Sequence, residues 1–126
     1  MTVEDRDPLT DRVIGLAIEV HRQLGPGLLE SAYEECLCHE LRTHGIDFRR
    51  QVALPINYKG EYLDCGYRMD LVIAGLLIVE IKSVEKLLPL HEAQLLTYMK
   101  LGVLKTGLLL NFNTLLLKHG IKRMVL

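Results

Sequence analysis

The chain has 126 residues, 49% hydrophobic and 25% charged, with 15 Lys and Arg against 16 Asp and Glu and a formal net charge of −1. That length suits one domain, residues 1–126, with a buried core. The near-neutral balance excludes a global basic field, so a polyanionic partner has to be held by a local patch or by metal ions. The apolar runs are too short to span a bilayer, and the acidic start MTVEDRDPLTD does not suit a secretory signal. Three cysteines without such a signal are expected as free thiols of a cytoplasmic protein.

Residues 1–6 are expected to fray. Asp7-Pro8 predicts an N-cap followed by proline at the first helical position. Val13, Ile14, Leu16, Ala17, Val20 and Leu24 then recur at helical spacing, and Gly25-Pro26-Gly27 breaks the run. A second helix is predicted from near Leu28 to about His44, with Gly45 as its stop. Glu30 lies in its first turn, and Glu30, Tyr33 and Leu37 share one face. Taken alone, Glu30 reads as a helix-start carboxylate and Tyr33 as core. From Asp47 the period becomes two: Val52, Leu54 and Ile56 alternate with Gln51, Ala53 and Pro55, a strand that Pro55 confines to an edge or a bulge. Tyr58-Lys59-Gly60-Glu61 predicts a tight turn, and the next strand is firm from Tyr67 to Ile73.

The stretch Met69 to Lys82 sets Asp70, Glu80 and Lys82 among aliphatic neighbours. Buried charges cost several kcal/mol each unless paired or bound to an ion. Alternation puts Met69, Leu71 and Ile73 on one face of the first strand, with Arg68, Asp70 and Val72 opposite. In the second strand Leu77, Val79 and Ile81 face away from Ile78, Glu80 and Lys82. Pairing Leu71 with Val79 aligns the apolar faces and sets Asp70 opposite Glu80. That register needs an odd loop at Ala74-Gly75-Leu76 or a bulge at Gly75. A helix follows from Leu90 to Leu101, with Pro89 at its start and Gly102 at its end. His91, Gln94 and Tyr98 line one side of it, while Leu95 and Met99 pack. Lys105–Phe112 and Leu115–Leu126, broken at His119-Gly120, are the last strands. The order ααβββαββ predicts an α/β fold, a mixed sheet of about five strands flanked by helices, with a parallel crossover after the charged hairpin.

Two carboxylates on adjacent strands can hold a hard cation, Mg²⁺ or Mn²⁺, through oxygen ligands, and the Ile81 carbonyl can add another. Such a cation activates water and neutralises phosphoryl charge. Lys82, on the face of Glu80, can orient that water or stabilise the developing charge. The pattern fits metal-assisted phosphodiester hydrolysis. A strand with a solvated outer face is the competing reading.

With Gln94-x-x-x-Tyr98 downstream, this arrangement resembles the PD-(D/E)XK nuclease superfamily, in particular its RecB-type branch. Gly27-Leu28-Leu29-Glu30-Ser31-Ala32-Tyr33 is similar to the signature of the small bacterial proteins called GxxExxY. Arg68-Met69-Asp70-Leu71, Ile78-Val79-Glu80-Ile81-Lys82, His91-Glu92-Ala93-Gln94, Leu110-Asn111-Phe112 and Lys122-Arg123 also look like that family. The resemblance covers the chain from about Val13 and implies a restriction-endonuclease-like core. It implies Asp70 and Glu80 as metal ligands, Lys82 as the catalytic lysine, and Glu30 as a helical carboxylate completing or supporting the metal site. Gln94 and Tyr98 would position phosphate or lysine. Met69 stands where the superfamily's name has proline.

Other clusters carry less. Cys36 and Cys38 beside His39 point about 200° apart on a helix and cannot converge on zinc. His91 could approach the site, though a surface histidine at a helix start is the simpler state. Arg49, Arg50, Lys118, Lys122 and Arg123 form modest basic clusters, phosphate contacts or plain surface. Two functions follow. One is a small Mg²⁺- or Mn²⁺-dependent nuclease acting on DNA. The other is a catalytically silent module of the same fold that binds nucleic acid or a protein. Intact Asp70, Glu80 and Lys82 favour the first. Small size and near-neutral charge favour the second, or a homodimer, for which the Leu-rich C-terminal strands offer an interface that core packing explains equally well.

Overall fold

A computed structural model describes residues 7–126; the expected fraying of residues 1–6 lies outside them. Asp7 caps α1 (Pro8–Leu24), its Oδ1 accepting the Leu9 N–H at 3.0 Å and its Oδ2 the Thr10 hydroxyl at 2.9 Å. Gly25, at φ 70°, ends the helix. α2 (Glu30–Thr43) begins five residues later. Tyr33 explains the loop between them. Its ring is fully buried and stacks on Phe112 with centroids 4.4 Å apart. Its hydroxyl donates to the Gly25 carbonyl at 2.6 Å and accepts the Leu28 N–H at 3.1 Å. Gly27 between them has φ 99°, a conformation that side chains other than glycine's strongly disfavour.

Five strands form one sheet: β1 (Phe48–Ala53), β4 (Arg68–Ile73), β5 (Leu77–Lys82), β6 (Thr106–Asn111) and β7 (Ile121–Val125), in that spatial order. β2 (Ile56–Tyr58) and β3 (Glu61–Leu63) make a separate hairpin. Among the described strands only β5 and β6 run parallel, joined through α3 (Pro89–Gly102), which is the predicted crossover. α1 and α2 cover one face of the sheet, over Leu71, Ile73, Val79, Ile81 and Leu110. α3 covers the other through Leu95 and Met99, against Val72, Ile78 and Leu109. Gly107 permits that contact, because a Cβ there would lie 2.8 Å from the Met99 sulfur and 3.1 Å from Ile78. The central strands are therefore buried on both faces.

Away from the charged hairpin, the structure departs from the sequence pattern at three chain breaks and caps. The strand expected through Val52, Leu54 and Ile56 breaks at Leu54-Pro55. There Leu54 turns into the core and its N–H donates to the Tyr67 carbonyl at 3.0 Å. The strand expected from Leu115 starts only at Ile121. Leu117–Gly120 form a 3₁₀ turn that drives Leu117 inward, and His21 Nε2 holds the Thr114 carbonyl at 2.8 Å. α3 is capped by Val103 in the left-handed region, at φ 56° and ψ 48°, rather than by Gly102. Val103 is exposed and β-branched, so this conformation is strained. Val103→Gly should stabilise the protein by about 1 kcal/mol, read as a higher thermal melting midpoint. An unchanged or lower midpoint would refute the strain.

Candidate active site

The central hairpin adopts the register the apolar faces require: Leu71 pairs with Val79, Val72 with Ile78 and Ile73 with Leu77. Ala74-Gly75-Leu76 closes it, with Ala74 and Gly75 at φ 54° and 67°. One residue beyond Leu71 and Val79 the backbone ladder gives way to side chains. The Asp70 N–H donates to Glu80 Oε2 at 2.8 Å, and the Ile81 N–H donates to Asp70 Oδ2 at 2.8 Å. The two carboxylates thus fill the place where β4 and β5 part. Alternation also fails there. Met69 joins the α3-side cluster with Val72, not the Leu71 face predicted for it. Across the sheet, the β1–β4 pairing steps over Gln51 and Asp70, and Gln51 has φ 48°.

Burial governs the charge state. Glu80 is 6% exposed. Burial first, then repulsion from Asp70, pushes its carboxyl up to about 8, against the pull of the Asp70 N–H and of Lys82. Asp70 is raised as well, mainly by burial, while the Ile81 N–H bond pulls it down. Among the described residues no ion pair reaches either carboxylate. Lys82 acts on both through space. A buried and a half-buried carboxylate, closely placed and short of positive charge, suit a hard divalent cation.

α2 brings two carboxylates to this region. Glu30 is exposed, and its Oε2 accepts the Ser83 N–H at 3.3 Å, one residue past Lys82. Ser83 Oγ also donates to the Leu28 carbonyl at 2.6 Å, tying the end of β5 to the loop that Tyr33 pins. The α2 carboxylate that connects to Asp70 is Glu34, one turn on. Glu34 Oε2 accepts Arg50 Nε at 3.1 Å and Nη2 at 2.8 Å, while its Oε1 accepts Gln51 Nε2 at 3.0 Å. The same Gln51 amide lies 3.4 Å from Asp70 Oδ1. The sequence signal for Glu34 was its position four residues after Glu30, on the same helical face. Among the described residues no three His, Cys, Asp or Glu side chains group as a metal site. Asp70 and Glu80 are the two carboxylates placed side by side here.

From α3, Gln94 Nε2 donates to the Tyr98 hydroxyl at 3.1 Å. Tyr98 is buried, and its phenol is raised chiefly by that burial, with Glu80 and Asp70 among the charges it feels. His91 stays at the helix start, where its Nδ1 accepts the Leu88 N–H at 2.9 Å. Asn111, opposite Lys82 on β6, is 2% exposed. Its Oδ1 accepts the Val84 and Asn113 N–H groups at 3.1 and 3.2 Å, and its Nδ2 donates to the Val84 carbonyl at 2.9 Å. This side chain fixes the segment leaving Lys82. Asn111→Leu should cost about 3 kcal/mol or more, because buried backbone groups lose their partners. Urea unfolding measures it, and a loss below 1 kcal/mol would show that the contacts are dispensable.

The basic residues do not form one patch. Arg49 and Arg50 lie on β1 and Lys122 and Arg123 on β7, at opposite edges of the sheet, with Lys118 in the 3₁₀ turn. Arg50 is committed to Glu34 and Glu35, each at 2.8 Å, and Lys122 stands 3.6 Å from Glu92. Cys36, Cys38 and Cys65 are free thiols, and burial pushes Cys38 up to about 11, which leaves it inert.

The family model described as PD-(D/E)XK nuclease superfamily matches residues 7–124. The chain belongs to the PD-(D/E)XK nuclease superfamily. No curated protein and no solved structure matches it. The five-stranded mixed sheet with its three helices is consistent with the restriction-endonuclease-like fold of this superfamily. PD-(D/E)XK nucleases generally use divalent metals such as Mg²⁺, and the donor set at Asp70 and Glu80 has the chemistry to accept one. Met69, in the place of the proline in the superfamily's name, is buried against the α3 side, where its side chain fills space. No helix among the described residues is long and apolar enough to cross a membrane.

Proposed function

We propose that the protein is a small metal-dependent nuclease that hydrolyses phosphodiester bonds of DNA. The observation that carries this reading is the parting of β4 and β5, where Asp70 and Glu80 interlock with Lys82 on the same strand face. Asp70, Glu80 and the Ile81 carbonyl would hold Mg²⁺ or Mn²⁺. Bound there, the ion would lower the pKa of a coordinated water and neutralise charge on a phosphoryl oxygen. The chain's own groups do the rest. Lys82 presents donors to the attacking water or a non-bridging oxygen. Gln94 and Tyr98 orient the phosphate or Lys82, and Gln51 links Asp70 to Glu34. Glu30 supports the site through Ser83.

Within the superfamily, Gly27, Glu30 and Tyr33 support membership of the GxxExxY family and the RecB-type branch. Free thiols fit a cytoplasmic setting. Arg49, Arg50, Lys118, Lys122 and Arg123 are candidate phosphate contacts, Arg50 and Lys122 by exchanging a carboxylate partner for phosphate. A homodimer through the β7 edge, where Leu115, Leu116, Val125 and Leu126 are exposed, would enlarge a surface that one copy supplies sparsely. The test is a panel of labelled single-stranded and duplex DNA and RNA incubated with Mg²⁺ or Mn²⁺. Wild type should cut DNA only with the metal, and Asp70→Ala should not cut. Cleavage that persists in Asp70→Ala and Lys82→Ala would mark a contaminant. No metal binding by calorimetry would leave a silent binding module.

A further inference from the structure

We infer that the cleft between α3 and the segment preceding β4 is a pocket for one unpaired nucleobase next to the scissile phosphate, so that the substrate strand is bound single-stranded. The inference rests on the nuclease reading above and narrows its substrate. Of five tyrosines, Tyr33 and Tyr98 are buried. The other three, Tyr58, Tyr62 and Tyr67, are 59%, 74% and 43% exposed, and all lie within ten residues, on the β2–β3 hairpin and the approach to β4. Exposed tyrosines are thus concentrated in one segment of the chain, and the last of them, Tyr67, lines a cleft against α3.

The cleft there has a volume of about 300 Å³. Ile56, Leu90 and Tyr67 give it apolar walls, and Thr97, Gln94 and Tyr98 give it a polar side. Tyr67 and Tyr98 meet edge to face, with centroids 6.0 Å apart and planes at 65°. The cleft adjoins the carboxylates through its walls: Tyr67 lies three residues before Asp70, and Tyr98, bonded to Gln94, packs in one cluster with Met69, the residue next to Asp70. An aromatic wall beside amide and hydroxyl groups matches a nucleobase, which has a stacking face and a hydrogen-bonding edge.

Charge decides between a paired and an unpaired strand. Duplex affinity comes mainly from cations against phosphate. Here the net charge is −1, Arg50 is held by Glu34 and Glu35, Lys122 is near Glu92, and Arg68 is 3.7 Å from Asp64. Stacking on tyrosine supplies affinity without net charge, but only to bases whose faces are free.

Binding of a fluorescein-labelled single-stranded 15-mer and of the matching duplex, measured by anisotropy in Ca²⁺, tests this. The single strand should bind more tightly. Tyr67→Ala should weaken it by about 5- to 100-fold, as loss of one stacked base does, and Tyr67→Phe should retain binding. Ala93→Leu, at an exposed α3 position lining the cleft, should weaken it too, without lowering the melting temperature. Equal or tighter duplex binding, or single-strand binding indifferent to Tyr67→Ala, would overturn the pocket, as would no binding at all. Tyr67-dependent binding with no cleavage in Mg²⁺ or Mn²⁺ would support the pocket and refute the nuclease reading alone.

Discussion

Glu80→Gln should make the metal-free protein more stable at pH 8. Glu80 is buried beside Asp70, and its carboxyl is raised from 4.5 to about 8. In the unfolded chain it ionises in the ordinary carboxylate range. Below that range both states hold the proton and the fold loses nothing. As pH rises from about 4.5 towards 8 the unfolded state releases its proton first, and stability falls. Above 8 the loss is complete. At about 1.4 kcal/mol per pH unit of separation, the cost is on the order of 4 kcal/mol at pH 8. Asp70 shifts in the same direction and adds to it. Glutamine removes the charge, its amide oxygen can still accept the Asp70 N–H, and its amide nitrogen can donate to Asp70. Melting curves at pH 5 and pH 8, without divalent cations, should show wild type losing much more stability than Glu80→Gln. Mg²⁺ at pH 8 should then stabilise wild type and leave the variant little changed. A variant less stable than wild type at pH 8 would mean that Glu80 is not a strained charge.

Lys82→Ala should slow cleavage by about 10²- to 10⁴-fold while leaving metal affinity nearly intact, because positioned donors and proton-transfer groups contribute on that scale. Lys82 is half-buried at the end of β5, where the Phe112 N–H donates to its carbonyl at 2.9 Å. That backbone bond survives the substitution, so the strand end should stay in place. Single-turnover rates with saturating Mg²⁺, set beside calorimetric metal titrations of both proteins, separate the two effects. An equal loss of metal affinity would make Lys82 part of the cation's support. An unchanged rate would remove it from the chemistry.

Much of this was legible in the sequence because it rests on local rules. Asp7-Pro8 capped α1, Gly25 ended it, and alternation in Leu71, Ile73, Leu77 and Val79 fixed a register that a three-residue loop then had to satisfy. What escaped depends on contacts between distant segments. The break at Leu54 follows from its bond to Tyr67, and the 3₁₀ turn at Leu117 from the grip of His21 on Thr114. Alternation placed Met69 with Leu71, but the strands separate at Asp70 and the period is lost there. Glu30 had the more recognisable motif. Glu34 has the connection to Asp70, because Arg50 and Gln51 on a strand 16 and 17 residues away select it.

The most direct measurement is the anomalous map of a crystal soaked in Mn²⁺. One peak should lie between Asp70 and Glu80, within about 2.1 Å of an oxygen from each and near the Ile81 carbonyl, as for a small hard cation. No peak at these carboxylates, or one held by other residues, would contradict the assignment of this hairpin as the catalytic centre.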